Sequence, residues 1–436
     1  MNTHYAQLLR RAFVLVLPLA LATAFLILIQ TTLAAPCAAP RLGGLTPIAS
    51  ASDANRDSYV PSMSADGRVV AFESDSDLLN EGGQSIVFEI WLYDTVAMTY
   101  TRVTSASEKF RESHTPSLSA DGTVVAFTSD SDLLNEGRPG DVMEVWLYDT
   151  ATMTFTRVTS VSHANRDCYF PNLSGNGTVV AFSSDSDLLN EGRPDDVYEI
   201  WLYDTATMTY TRVTSASDGL RDSYYASLNA DGTVVAFHSD SDLLNEGISD
   251  GTNEVWLYDT ATMTFTRVTS ASDSLRNSTN PSLSADGTVL AFQSDSDFLN
   301  EGRPDSVFEI WLYDTATMTY TRVTSASDGL RNSFNPSLSA DGRVVAFQSD
   351  SDFLNEGRPD NVYEIWLYDI AAMTFSRLTS ASDGLRDSIN PSLNGSGTMV
   401  AFQSDSDFLN EGRLDDANEI WLWEEHPVYL PLVVRQ

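Results

Sequence analysis

Residues 281–325 read Pro281-Ser-Leu-Ser-Ala-Asp-Gly-Thr-Val-Leu-Ala-Phe-Gln293, a polar stretch from Ser294 to Val307, then Glu309-Ile-Trp-Leu-Tyr-Asp314, Thr315-Ala-Thr-Met318 and Tyr320-Thr-Arg-Val-Thr-Ser325. Asp286-Gly287 suits the positive φ values of a tight hairpin, so the residues on either side of it form two short strands, a and b. The β-branched and aromatic run Glu309–Asp314 is a third strand, c. In Tyr320–Ser325, Thr321 and Val323 alternate against Tyr320, Arg322 and Thr324, which makes a fourth, d. Four short antiparallel strands with no helical period are the content of one propeller blade.

The unit recurs. Phe stands at 72, 127, 182, 237, 292, 347 and 402, and Trp at 91, 146, 201, 256, 311, 366 and 421, each 55 residues apart with no insertion or deletion. The ends decide between an open stack and a ring. Leu45-Thr-Pro-Ile-Ala-Ser50 aligns with the d-strand Tyr100-Thr-Arg-Val-Thr-Ser105, while the seventh unit stops after Trp421-Leu422-Trp423, one strand short. The orphan strand completes the seventh blade and removes the free edge. The expectation is an all-β, seven-bladed β-propeller of 55-residue four-stranded repeats over residues 45–423, closed by its N-terminal strand. A linker at 36–44 precedes it and a tail at 424–436 follows.

The segment Pro116-Ser-Leu-Ser-Ala-Asp-Gly-Thr-Val-Val-Ala-Phe127 resembles the Ser-Pro-Asp-Gly-x-x-Ile-Ala-Phe signature of TolB-like, WD40-like bacterial propeller repeats. It is nearer still to a subgroup found in secreted proteins. The resemblance covers residues 45–423, with Gly175-Asn176-Gly177 and Gly395-Ser396-Gly397 replacing the usual turn in two copies. It implies the fold and leaves function open, since propellers host many activities. The α/β domain that precedes the propeller in TolB has no counterpart in this sequence.

Residues 1–35 have the order of a secretory signal: Arg10-Arg11, an uncharged apolar run from Ala12 to Ile29, then Thr31-Thr32-Leu33-Ala34-Ala35. The run also approaches a minimal membrane span, so an uncleaved anchor stays open as the alternative and as the sole membrane contact expected. Either way the protein is exported, to an extracellular, periplasmic or cell-surface location. Cys37 and Cys168 are the only cysteines, so disulfides do not organise the fold.

Formal net charge is −36, with 61 acidic against 25 basic residues, which disfavours nucleic acid as a partner. The charge is segregated. Blade geometry puts the short a–b and c–d turns on one face and the long b–c and d–a loops on the other. Residues 73–89 and their six equivalents, the b–c segments, hold 37 acidic and 5 basic residues. The long-loop face is therefore the expected working surface.

Every b–c loop carries Asp-Ser-Asp-(Leu/Phe)-Leu-Asn-Glu-Gly. Oxygen ligands for Ca²⁺ could come from Asp75, Asp77 and Glu81, from Asp130, Asp132 and Glu136, and from Asp295, Asp297 and Glu301. The spacing is not that of an EF-hand. The competing reading is Asx turns, with Gly in a left-handed position and both apolar residues tucked under the loop. Apart from Ca²⁺ no cofactor is expected. Arg56 and its six equivalents face the same loops and should make intramolecular ion pairs.

Seven identical positions serve fold, or seven equal sites; a single asymmetric ligand must be read by positions that differ. Those cluster at Gln84–Phe88, Pro139–Met143 and Ile248–Asn253, and before strand a at Tyr59, His114, Tyr169, Tyr224, Phe334 and Ile389. Exposed aromatics there would suit a glycan or a peptide. The five histidines share no repeat position, and no catalytic constellation stands out. The sequence thus points to a non-enzymatic binding or scaffold propeller whose acidic long-loop face meets a protein or glycan partner. The alternative is a carbohydrate-active enzyme, a polysaccharide lyase or glycosidase. Ligand and oligomeric state are left open.

Overall fold

The computed structural model describes residues 43–49, 56–81, 87–105, 111–137, 142–160, 166–192, 197–215, 221–246, 251–270, 276–301, 306–325, 331–356, 362–380, 386–409 and 417–426. The expected signal or anchor at 1–35, the linker up to residue 42 and the tail from residue 427 lie outside them. Among the described residues no helix is long and apolar enough to cross a membrane.

Among the described residues, twenty-eight strands form seven four-stranded antiparallel sheets, each in the order a-b-c-d. Blade 1 comprises Ser58–Met63, Val69–Ser74, Glu89–Asp94 and Thr99–Arg102. Blade 7 takes its a, b and c strands from Ser388–Leu393, Met399–Ser404 and Glu419–Glu425. Its fourth strand is Gly43–Ala49, paired with strand c from Gly43↔Glu425 to Ala49↔Ile420, so the N-terminal strand closes the ring. Closure follows from edge chemistry, because strand c of blade 7 would otherwise present unpaired N–H and C=O groups.

The seven core clusters lie between blades. Ile48 and Ala49 pack with Met63, Val70, Phe72 and Trp91 of blade 1 and with Ile420 and Leu422 of blade 7. The recurring Phe and Trp are the largest fully buried side chains, so they are packing residues.

Two hydrogen-bonded girdles join neighbouring blades. At the short-turn end the a–b turns bond in a circle: Ala65 N–H to Ala120 O, Ala120 N–H to Gly175 O, then Asn176 N–H in place of Gly175 to Ala230 O, and on around to Gly395 N–H to Ala65 O, at 2.8–3.0 Å. Toward the long-loop end, the N–H of Ser58 and its equivalents reaches the residue before strand c of the preceding blade, as in Ser58 N–H to Asn418 O at 2.8 Å. Asp57 returns the bond, its carboxylate accepting the Asn418 N–H at 2.8 Å.

Candidate functional site in the axial channel

Strand a lines the axis of the ring. In each blade its register against strand b shifts in the middle, between Tyr59 and Ser62 in blade 1. The residue that opens this bulge has a positive φ of 49–53°: Val60, Thr115, Phe170, Tyr225, Asn280, Asn335 and Asn390. Asparagine tolerates this region, whereas Val, Thr, Phe and Tyr are strained in it. In six of the seven blades a proline follows, which itself disfavours helical conformations before it. Together with the two residues after each, these seven positions line a cavity of about 430 Å³ to which all seven blades contribute.

The wall is not sevenfold. Blades 5 to 7 present an amide arc in which Asn280 donates to Asn335 at 2.7 Å and Asn335 to Asn390 at 2.6 Å. Behind it, Gln348 and Gln403 accept from Asn335 and Asn390 at 3.1 and 3.0 Å. Blades 3 and 4 present aromatic rings instead. Phe170 stacks on Tyr225 with centroids 4.1 Å apart, and Tyr225 on His238 at 5.5 Å. Tyr225 is 41% exposed. Burial pushes the His238 imidazole down to about 4, so it is neutral at physiological pH.

Between blades 1 and 2 sits an ionisable cluster. His114 Nδ1 lies 3.3 Å from Glu73 and its Nε2 3.2 Å from Glu112. Burial works against its charge, but the bonds and charges of the two carboxylates prevail and hold it above the usual histidine range. Glu73 also accepts the Thr115 N–H at 2.8 Å, which ties the cluster to the channel wall.

The b–c loop carboxylates are engaged elsewhere. Asp75, Asp130 and Asp295 accept the N–H groups of Asp57, Glu112 and Asn277 at 2.7–2.8 Å. Asp77, Asp132 and Asp297 accept those of Glu81, Glu136 and Glu301 at 2.9–3.0 Å, closing the loop on itself. Glu81, Glu136 and Glu301 pair with Arg102, Arg157 and Arg322 of strand d. Among the described residues no group of three or more His, Cys, Asp or Glu side chains converges as metal ligands would. The left-handed conformation falls on Asn80, Asn135, Asn190, Asn245, Asn300 and Asn355, and additionally on Gly137 and Gly192.

Only the first apolar residue of each loop tucks in, as where Phe298 stacks on Tyr320 at 4.6 Å; the second stays exposed, from Leu79 to Leu409. Arg56 and its equivalents bond the main-chain carbonyl of the first loop aspartate, as in Arg111 to Asp130 O at 2.9 Å. This pins the d–a loop to the b–c loop.

The aromatics expected before strand a lie within its first two residues and are not an exposed ring. They are partly buried and alternate with the residue preceding strand c, as in Tyr59–Phe88–His114 and Tyr169–Tyr198–Tyr224, at 5.2–5.9 Å. The variable stretches after the loop glycine lie largely outside the described residues. The channel wall lies one residue beyond the variable aromatic positions. The columns beginning Val60 and Glu73 also differ from blade to blade, and that variation is the signal of the site in the sequence.

No protein-family model matches the chain, and no curated protein is similar to it in sequence. Solved structures share its fold. Oligogalacturonate lyase from Vibrio parahaemolyticus superposes with a TM-score of 0.55 at 13% identity, covering 87% of this chain and 93% of that one. An oligogalacturonate lyase in complex with manganese gives 0.55 at 16%, covering 89% and 94%. The β-propeller domain of the Trilobed protease from Pyrococcus furiosus gives 0.53 at 10%, covering 87% and 99%; it is described as having an open velcro topology, whereas the ring here is closed by Gly43–Ala49. The protein is a seven-bladed β-propeller, and these identities speak to architecture alone.

They nevertheless overturn the expectation of a non-enzyme. Lyases occupy the same fold over nine-tenths of their length, one of them with manganese, so scattered histidines do not set this chain apart from catalytic propellers.

Proposed function

We propose that the protein is an exported carbohydrate-active propeller that takes a glycan into the long-loop mouth of its axial channel. The observation that carries this reading is the asymmetric wall: an aromatic arc at Phe170 and Tyr225 faces an amide arc at Asn280, Asn335 and Asn390. Sugar rings offer an apolar face to aromatics and hydroxyls to amides, and few polar groups set in a concave site are how such ligands are oriented. Charge narrows the class. The acidic loops around the mouth repel anions. His114, tied to the wall, is flanked by Glu73 and Glu112. A neutral or amine-bearing glycan therefore fits, and a polyuronate such as the substrate named for the lyases does not. The Glu73–His114–Glu112 cluster is the group at the wall able to move a proton, and so the place to look for turnover.

The test is calorimetry with neutral, amine-bearing and uronate hexasaccharides, followed by mass spectrometry of the incubated sugars with and without manganese or calcium. Binding of a neutral or cationic sugar that weakens on changing channel residues is the expected result. No binding of any sugar, or binding indifferent to the channel, overturns the proposal.

A further inference from the structure

A ring-wide hydrogen-bonding rule is broken in one sector of the channel. The side chain near the end of strand b, beginning with Glu73, accepts the N–H of the positive-φ residue in the next blade. Glu73 takes Thr115 at 2.8 Å, Gln293 takes Asn335 at 2.8 Å, Gln348 takes Asn390 at 2.9 Å, and Gln403 takes Val60 at 3.1 Å. The other three blades carry Thr128, Ser183 and His238 in that position. Among the described residues, no side chain accepts the N–H of Phe170, Tyr225 or Asn280, the residues these three would serve. Thr128 bonds back to His114 O at 3.2 Å instead. Ser183 Oγ and His238 Nδ1 are themselves buried without a protein partner.

The three departures are contiguous, and they coincide with the stacked rings of Phe170, Tyr225 and His238. Main-chain donors, two buried polar side chains and an exposed aromatic thus collect on one side of the axis, while the opposite arc is hydrogen-bonded within itself. Buried polar groups are ordinarily satisfied, so a contiguous gap in an otherwise regular pattern marks where a ligand supplies the missing partners.

Building on the carbohydrate reading above, we infer that the sector from Phe170 to Asn280 is the recognition subsite and that it takes an uncharged, hydroxyl-bearing sugar ring. Hydroxyl oxygens accept from the main-chain N–H groups, and hydroxyl hydrogens go to the neutral His238 and to Ser183. The ring's apolar face rests on the exposed part of Tyr225. A carboxylate or sulfate would find no cation here, because His238 stays neutral at physiological pH. An ammonium would find no carboxylate among these groups.

The chain itself suggests the test. Ser183→Gln and His238→Gln install the residue that blades 5 to 7 already carry in that position, so the fold accommodates it, and each should close its part of the gap by taking the N–H of Tyr225 or Asn280. Wild type and variants are titrated with cellohexaose, xylohexaose, mannohexaose, chitosan hexamer and hexagalacturonate, and their melting temperatures are recorded. The expected result is wild-type binding confined to neutral hexamers. Both glutamine variants and Tyr225→Ala should bind about tenfold more weakly or worse. The glutamine variants should melt no lower than wild type. Glutamine variants that bind like wild type, or a preference for the chitosan or galacturonate hexamer, overturn the subsite while leaving a carbohydrate site standing. A wild-type protein that binds none of the five overturns both.

Discussion

Ile48→Ala tests whether the closing strand is as integral to the ring as any internal one. Ile48 is 1% exposed and packs in one cluster with residues of blades 7 and 1, so it bridges the junction where the chain's two ends meet. Removing its outer carbons from a packed core should cost about 3 kcal/mol, transfer and cavity terms together. The 383 residues from Gly43 to Glu425 imply an unfolding entropy of about 0.8 kcal/mol/K, so the melting temperature should fall by about 4 °C. Leu378→Ala is the internal control, at the equivalent position of blade 6 and in a comparable inter-blade cluster. Calorimetry and urea titration of both variants, with limited proteolysis of the native state, give the comparison. Equal losses and a single transition mean that closure is cooperative with the ring. An Ile48→Ala protein that melts like wild type while Leu378→Ala does not would refute the reasoning, since the N-terminal strand would then be an ornament on a ring already stable. Deleting residues 1–49 goes further: it bares the edge of Glu419–Glu425 and should produce concentration-dependent oligomers by light scattering.

The two wall histidines should give opposite pH signatures in urea midpoints. His238, held at about 4 when folded and near 6.5 when unfolded, contributes stability above 6.5 that is lost as pH falls toward 4, up to about 3 kcal/mol, and His238→Gln should abolish that slope. His114, raised in the folded state, contributes stability that is full below 6.5 and lost as pH rises through its folded value; His114→Gln should flatten that limb, and an unchanged limb would argue against the Glu73–His114–Glu112 cluster. Asp77→Ala should cost about 1 kcal/mol through the lost bond to Glu81, with melting indifferent to millimolar calcium; a calcium-dependent rise that disappears in this variant would establish the loop as a metal site. Gly397→Ala should cost roughly 1–3 kcal/mol, because φ is +69° and the added carbon would lie 2.8 Å from Val344 Cβ; melting equal to wild type would show that the turn relaxes freely.

The architecture was legible because it is written seven times. A 55-residue period, Asp-Gly turns and apolar strands are local features, and the orphan at 45–50 needed only alignment with its siblings to be recognised as the missing strand of blade 7. That the acidic loops close on themselves was legible only in part, since the bond runs four residues, from the Glu81 N–H to Asp77, where an Asx turn spans two. The channel wall was decided by tertiary structure. Its pattern joins Glu73 to Thr115 and Gln348 to Asn390 across 42 residues and a blade boundary, and no property of either residue alone announces the bond. The bulge hid it further. Strict alternation assigns each strand-a residue to a face, but a positive φ at Val60, Thr115, Phe170 and Tyr225 re-aims the backbone at positions whose side chains do not favour that conformation. Only the asparagines of blades 5 to 7 hinted at it. Local chemistry therefore sufficed for the blade, whereas the site exists only where seven blades meet around one axis and three of them break the rule the other four keep.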